Sequence, residues 1–397
     1  MKKQSRPSVL IGFAEALAAI ETAWSLQDAG FRVIAFRRAG SRPVLRHVRG
    51  VQTYEVPPPE LDAAATVAAV RGLLGALTPM TFLPLDDHAV WVCDRLADAP
   101  VPLAGAAGFA AECALDKSIQ IEIATRAGLP VPPTQVVDSL DDLGRVDFPV
   151  MIKPGRALYE VRGALVRPTG VVCANNDELR IAAKKSWPGP VLLQPLIRGT
   201  GEGLFGHAAA NGVVGWSAHR RVRMVNPQGS ASSACRSARI DERLVEAAQR
   251  FLSAASWRGL FMLEFLRDAD GEPWFMELNG RTWGSMALAR RRGFEYPAWT
   301  VQSTLDPGFQ PSPPSQPPEI TCRNVGLELA HLMFVARGAQ SHADMEWPRL
   351  SSAIRDVFRV SARDRFYNWS RTQPDVLVAD TLATVKRYVV KAMGKRS

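Results

Sequence analysis

Phe261-Met-Leu-Glu264-Phe-Leu-Arg-Asp-Ala-Asp270-Gly271-Glu-Pro-Trp-Phe-Met-Glu277-Leu-Asn279-Gly-Arg281 contains two apolar runs on either side of a polar turn. Each run carries one carboxylate, and Asp270-Gly271 between them is a hairpin signal. Glu277 and Asn279 are two apart on the second strand, so both side chains leave one face of the sheet. The paired strand can bring Glu264 to that same face. Two carboxylates and one amide form an oxygen-only donor set. Such a set suits a hard cation such as Mg2+, held by few protein groups while phosphate oxygens complete the octahedron. Arg281 adds a planar cationic fork for a carboxylate or phosphate. Standing alone, the stretch would read as an ordinary hairpin with exposed acids.

The chain of 397 residues is long enough for two or three domains with substantial cores. Its 22% charged and 47% hydrophobic residues describe an ordinary soluble globular protein. The five cysteines (Cys93, Cys113, Cys173, Cys235 and Cys322) have no C-x-x-C spacing, so they read as reduced thiols in a cytoplasmic protein. Lys2-Lys3 followed by Val9–Phe13 imitates the start of a signal peptide, but Glu15 and Glu21 interrupt the apolar region. A first strand and helix is the better reading. No stretch reaches the roughly 20 apolar residues of a membrane span. A net charge of +9 raises nucleic acid and anionic membrane as partners. The cations are scattered, without an aromatic-studded basic run, so nucleic acid is not expected. After Asp380 the tail carries Lys386, Arg387, Lys391, Lys395 and Arg396 and no acid. Membrane contact through this tail is therefore open as an accessory role.

Alternating elements organise the first part of the chain: strand Val9–Phe13, helix Ala14–Asp28, a stop at Gly30, strand Arg32–Phe36, helix Val67–Leu77, strand Met80–Leu85 and helix His88–Leu96. That alternation argues a parallel sheet with packed helices. Gly12-Phe-Ala-Glu15 after the first strand is not G-x-G-x-x-G, so no dinucleotide site is expected there. Asp86-Asp87 after its strand reads as a solvated turn, ahead of a place at the edge of an active cleft. Asp116–Gly128 is an amphipathic helix with a Pro-rich exit, followed by strand Gln135–Val137 and helix Ser139–Leu143. Next come strand Pro149–Lys153, a loop over Pro154–Thr169, strand Gly170–Ala174, and a helix through Glu178–Ser186 capped by Asn175/Asn176. Strands Val191–Pro195, Gly203–Ala210 and Val213–Ala218 and the helix Ile240–Ala255 lead into the hairpin. Beyond the Pro-rich Asp306–Pro318 linker, Gly326–Arg337 and Val376–Met393 read as helices.

Four segments carry chemistry in chain order: Leu115-Asp-Lys117-Ser with its Gly128-Leu-Pro exit, Pro149-Val-Met-Ile-Lys153, Leu192-Leu-Gln194-Pro195-Leu-Ile197, and the hairpin with Glu264, Glu277, Asn279 and Arg281. A lysine at the end of a buried strand, as Lys153 is, incurs a desolvation cost unless an anion meets it, or else it snorkels to solvent. Over residues 9–300 the pattern resembles the ATP-grasp superfamily, particularly its carboxylate–amine ligases. The resemblance implies an α/β (α+β) fold with a Rossmann-like, parallel-sheet pre-ATP-grasp domain over 1–110. A two-lobed ATP-grasp domain would follow over 111–305, its small lid subdomain near 134–195 and its catalytic lobe near 196–305. The linker and a mostly helical extension would occupy 306–397.

It further implies ATP with Mg2+ (or Mn2+), and a division of labour among the residues. Lys117 and Lys153 would reach the phosphates, and Gln194, Pro195 and Ile197 would read adenine, with Glu202, in a flexible turn over Arg198–Gly203, at the ribose. Glu264, Glu277 and Asn279 would hold metal, Glu277 bridging two ions. Arg281 would stabilise the transferring phosphoryl group. The loop after Lys153 departs from the family's Gly-rich lid, because Gly155–Gly163 has two glycines and two arginines. His219-Arg220-Arg221 has two readings, a substrate-carboxylate clamp through His219 and Arg221 or a charged surface loop. The implied reaction joins a small-molecule carboxylate, activated as an acyl phosphate, to an amine, releasing ADP and phosphate. The alternative is a non-catalytic nucleotide-binding protein with a degenerate lid.

Overall fold

The computed structural model describes residues 6–140, 146–229, 231–339 and 347–393, and of residues 391–393 the backbone alone. Four parallel strands form the first sheet in the order Gln52–Val56, Arg32–Arg38, Ser8–Gly12, Thr81–Pro84. The helices Ala19–Asp28, Ala63–Leu77 and Asp87–Asp94 pack on it. The order reverses direction at Ser8–Gly12, which opens a crevice at the carboxyl ends of that strand and Thr81–Pro84. The first helix starts at Ala19, five residues later than the sequence pattern suggests. The intervening turn is held by the second strand: Ala14 N–H donates to Phe36 O at 2.9 Å, and Glu15 accepts from Arg38 N–H at 3.0 Å.

A second sheet is small and antiparallel, in the order Gln135–Val137, Val191–Pro195, Val150–Pro154, Val171–Cys173. Its inner face (Val150, Ile152, Val191, Leu193) packs on Leu179 and Ala182 of the helix Asn176–Ala183, capped by Asn175. Register pairs Lys153 with Leu192 and Met151 with Gln194, so Lys153 and Gln194 share the opposite face. The helix expected over Ser139–Leu143 lies partly outside the described residues. The segment expected as a loop over Pro154–Thr169 contains a hairpin, Tyr159–Val161 paired with Ala164–Val166.

The third sheet has seven strands in the order Pro273–Asn279, Gly259–Arg267, Thr200–Ala209, Gly212–Met224, Ser232–Ala238, Thr321–Arg323, Asp364–Phe366. The opening hairpin is present, turning through Asp268–Gly271 with Gly271 at φ +85°. Helices Lys117–Ala127 and Glu242–Ala254 cover one face through Phe251, Leu263, Phe265 and Phe275. Two sequence readings change here. His219–Arg221 sits inside a strand and not in a loop, and the Arg198–Gly203 turn is already strand from Thr200. The C-terminal part contributes helices Val325–Arg337, Leu350–Phe358 and Pro374–Met393, but also two strands that widen this sheet. Short strands with few apolar residues, such as Thr321-Cys-Arg323, leave no alternation to read. In the basic tail, Lys395, Arg396 and the side chain of Lys391 lie outside the described residues. No described helix is long and apolar enough to cross a membrane.

Candidate active site

Glu264 and Glu277 are directly opposed across the antiparallel hairpin. At that register Cβ atoms lie about 5 Å apart, so the two carboxylates share one patch. Register carries the same face through Gly203 to His219. A Cβ on Gly203 would meet the His219 ring at 3.0 Å, so only glycine lets the imidazole lie there. Two like charges this close must be compensated. Glu277 accepts from Lys117 Nζ at 2.8 Å, and Lys117 pulls its carboxyl down to about 2 against the effect of burial. Burial pushes Glu264 up, Glu277 adds to that, and the short ion pair with Arg221 only partly offsets it.

Immediately after that register pair the hairpin shifts, leaving Met276 as the extra residue of a bulge. Met276 Sδ lies 3.8 Å from Lys153 Nζ, which brings the small sheet against the seven-stranded one. Among the described residues Lys153 has no carboxylate within ion-pair range. Burial accordingly lowers its pKa, more than Glu277 and Glu264 restore it. Asn279 is 7% exposed, and its amide Nδ2 has no hydrogen-bond partner. This unpartnered buried atom marks an amide end available to a ligand. The two carboxylates and this amide fit a hard cation by donor chemistry. Among the described residues no group of three or more His, Cys, Asp or Glu is arranged as a metal site.

Arg281 leaves the hairpin strand and meets the first domain, donating from Nε to Asp87 Oδ1 at 3.1 Å. Arg167, just past the inserted hairpin, reaches the other Asp87 oxygen at 2.7 Å. Burial would raise the Asp87 carboxyl, but Arg281 and Arg167 hold it below the ordinary value. Asp86 beside it caps the helix Asp87–Asp94 through Ala89 N–H at 2.8 Å. The reading of Asp86-Asp87 as a solvated turn is therefore wrong. Their position at the carboxyl end of a parallel strand was the signal that pointed to a site. The inserted hairpin is fixed on the first domain as well. Leu165 N–H donates to Pro59 O at 2.7 Å, Ala63 N–H donates to Gly163 O at 2.8 Å, and Leu158 and Leu165 join that domain's core. Gly155 permits the approach to the strand beside it, since a Cβ there would lie 2.8 Å from Pro190 O.

No protein-family model matches the sequence, and no curated protein matches it. Solved structures do. An L-amino acid ligase from Bacillus licheniformis aligns over 77% of this chain and 75% of its own, at 18% identity and a TM-score of 0.61. A biotin carboxylase in a beta-gamma-ATP complex, from Campylobacter jejuni, aligns over 80% and 74%, at 16% identity and 0.62. An N5-carboxyaminoimidazole ribonucleotide synthetase in its ADP complex aligns over 88% and 94%, at 13% identity and 0.62. The chain has the ATP-grasp fold.

Within this ATP-grasp fold the expected residues divide into two groups. Lys117, Lys153, Glu264, Glu277, Asn279 and Arg281 meet where the small sheet, the hairpin and the first domain come together. Gln194 lies on the same face as Lys153, buried, with Nε2 donating to Thr134 Oγ1 at 2.8 Å. Pro195 ends that strand exposed, Leu196 N–H donates to Pro149 O at 3.0 Å, and Ile197 is partly buried. Arg221 is engaged by Glu264. Glu202 is a correction: its register with Phe265 puts it on the helix-covered face, where Arg267 holds it at 2.8 Å. A strand in place of the expected turn fixes that orientation. His219 is a second correction. It is 3% exposed, its Nδ1 is 2.9 Å from Ser285 Oγ, and its ring meets Phe205 edge-on, so it supports the site from inside.

Burial lowers the His219 imidazole to about 3 and that of His207 to about 4, both from 6.5. A folded pKa below the unfolded one means the native state excludes the proton. Their contribution is complete above pH 6.5 and is lost as pH falls toward those values. The loss is about 1.4 kcal/mol per pH unit for each ring at most. Urea midpoints of the wild type are therefore expected to fall more steeply between about pH 6.5 and 4.5 than those of His207→Gln. Equal slopes would remove His207 as a cause.

Proposed function

We propose that this protein is an ATP-dependent carboxylate–amine ligase that works in the cytoplasm on small molecules. The observation that supports this most is the meeting of Lys117, Lys153, the opposed pair Glu264–Glu277, and Arg281 at one place. Five unpaired buried thiols and a requirement for ATP agree with the compartment. In this reading residues 111–305 carry the chemistry, with the lid near 134–195 and the catalytic lobe near 196–305. Residues 1–110 close the cleft through Asp87, and 306–397 buttress the large sheet.

Among the described residues no carboxylate pairs with the half-buried Lys153 amine, and a phosphate would supply the counter-charge. Lys117 stands beside Glu277 and would contribute a second positive group. Gln194, Pro195 and Ile197 would read adenine from the strand that carries Gln194. Mg2+ or Mn2+, held by Glu264, Glu277 and Asn279, would neutralise phosphate charge during transfer. With Glu264 holding a cation, Arg221, which now pairs with it, would be free to clamp the acid's carboxylate. A carboxylate oxygen attacks the γ-phosphorus while the bond to ADP breaks, and Arg281 stabilises the charge on the moving group. The amine nitrogen then attacks the acyl carbon, phosphate leaves and the amine proton passes to solvent. Positioning and charge suffice, so no dedicated general base is required.

One observation favours a second reading, nucleotide binding without turnover: the inserted hairpin is packed onto the first domain and is not a free glycine lid. A screen of the full chain with ATP, Mg2+ and pooled amino acids and uronic acids separates the two. ADP release together with a product heavier than either substrate is expected. ATP binding with no ADP from any pool would favour the second reading.

A further inference from the structure

The end of the chain brings together two properties that are dispersed elsewhere. Among the described residues eighteen large apolar side chains are exposed, and nine of them lie between Leu350 and Val390. Residues 347–393 also carry nine Lys or Arg against four Asp or Glu, a net +5 of the chain's +9. Apolar exposure concentrated in so short a segment marks an interaction surface.

The helix Pro374–Met393 shows how the surface is built. Val376, Asp380 and Thr384, spaced by four, are buried, and Tyr388 packs edge-on against Phe334 at 5.9 Å. Gly326 backs this row, since a Cβ there would meet Thr384 at 2.7 Å. Two residues further round the helix, on the opposite side, Val378 is 59% exposed, Leu382 66% and Val390 60%. Lys386 occupies the same outer row, and Arg387 is exposed beside it. The helix Leu350–Phe358 repeats the pattern. Ala353 and Val357 face inward, while Leu350, Ile354 and Phe358, at 42%, 42% and 68% exposure, face out. Arg355 and Arg359 are exposed beside that row.

A second copy of this chain is a poor occupant, because two surfaces of the same positive sign would be brought together. A surface that is both anionic and apolar just beneath its charges is complementary. A helix of about 30 Å with an apolar row and flanking cations lies flat in such a boundary and does not cross it. We propose that the helix Pro374–Met393 docks the protein on an anionic lipid bilayer. Val378, Leu382 and Val390 enter the headgroup boundary, and Lys386 and Arg387 meet lipid phosphates. The inference is independent of the ligase reading.

The full chain would be sedimented with vesicles of phosphatidylglycerol mixed into phosphatidylcholine, and with phosphatidylcholine alone. Binding to the anionic vesicles is expected to be about tenfold or more tighter than to neutral ones, and to weaken as salt rises. Leu382→Glu with Val390→Glu is expected to lower it by about tenfold or more at an unchanged melting temperature, since both side chains are already in solvent. Lys386→Glu with Arg387→Glu should lower it without any change to the apolar row. Equal partition onto both vesicle types would overturn the proposal, as would wild-type protein left in the supernatant at low salt. Concentration-dependent self-association that the Leu382/Val390 variant abolishes, without vesicle binding, would assign the surface to a second copy.

Discussion

Glu277→Gln is expected to lower ATP turnover by about a thousandfold, some 4 kcal/mol of transition-state stabilisation, with the fold intact. The amide keeps the shape of the side chain and one oxygen but removes the charge that a cation would meet. Two local consequences follow. Lys117 loses the carboxylate that now lies 2.8 Å away, and Glu264 loses the like charge directly opposite it. The Glu264 carboxyl should therefore titrate lower in the variant than in the wild type, because Glu277 is one of the groups that raise it. Side chains at this ion pair are 19% and 33% exposed, so the stability cost stays modest. About 1–2 kcal/mol is expected, between the values for exposed and buried pairs. Initial rates of ADP release, compared with thermal melts, read the two effects separately. A variant that turns over ATP within about threefold of the wild type would remove Glu277 from the phosphate chemistry.

Lys153→Met is expected to move stability and affinity in opposite directions. In the free protein the half-buried Lys153 ammonium lies beside Met276, out of ion-pair range of every described carboxylate, and burial lowers its pKa. Replacing it with an apolar side chain of similar length removes a desolvation cost, so the melting temperature should rise or stay unchanged. Nucleotide affinity should fall by about a hundredfold, near 3 kcal/mol, since a charge-assisted contact to phosphate in a dry site is lost. Calorimetric titration with ADP beside a thermal melt reads both signs at once. Loss of stability with unchanged affinity would mean that Lys153 serves the sheet and not a ligand.

Where sequence reading succeeded, local periodicity and turn chemistry coincided. The hairpin could be read because Gly271 adopts the positive φ that its turn needs, and because alternation put Glu277 and Asn279 on one side. Asp116 and Gly128 bracket the helix Lys117–Ala127 as side-chain cap and left-handed stop, both visible as residue types. Where it failed, long-range pairing overrode local pattern. Glu202 follows a glycine-rich run that looks like a turn, but pairing with Arg220 and Phe265 extends the strand and turns its carboxylate away. Tyr159–Val166 is too short and polar to announce a hairpin, and Leu165 within it and Leu158 just before it are explained only by the core of another domain. Arg281, Asp87 and Arg167 come together from segments about 80 to 200 residues apart, a closure that no local spacing encodes.

Everything proposed for the cleft depends on phosphoryl transfer from ATP to a carboxylate oxygen. The most direct test incubates the full chain with ATP, Mg2+, amines and a pool of amino and uronic acids labelled with 18O in the carboxyl group, then weighs the phosphate released. Transfer through an acyl phosphate leaves one labelled oxygen in the phosphate, alongside ADP. Unlabelled phosphate, or AMP with pyrophosphate, would contradict the account.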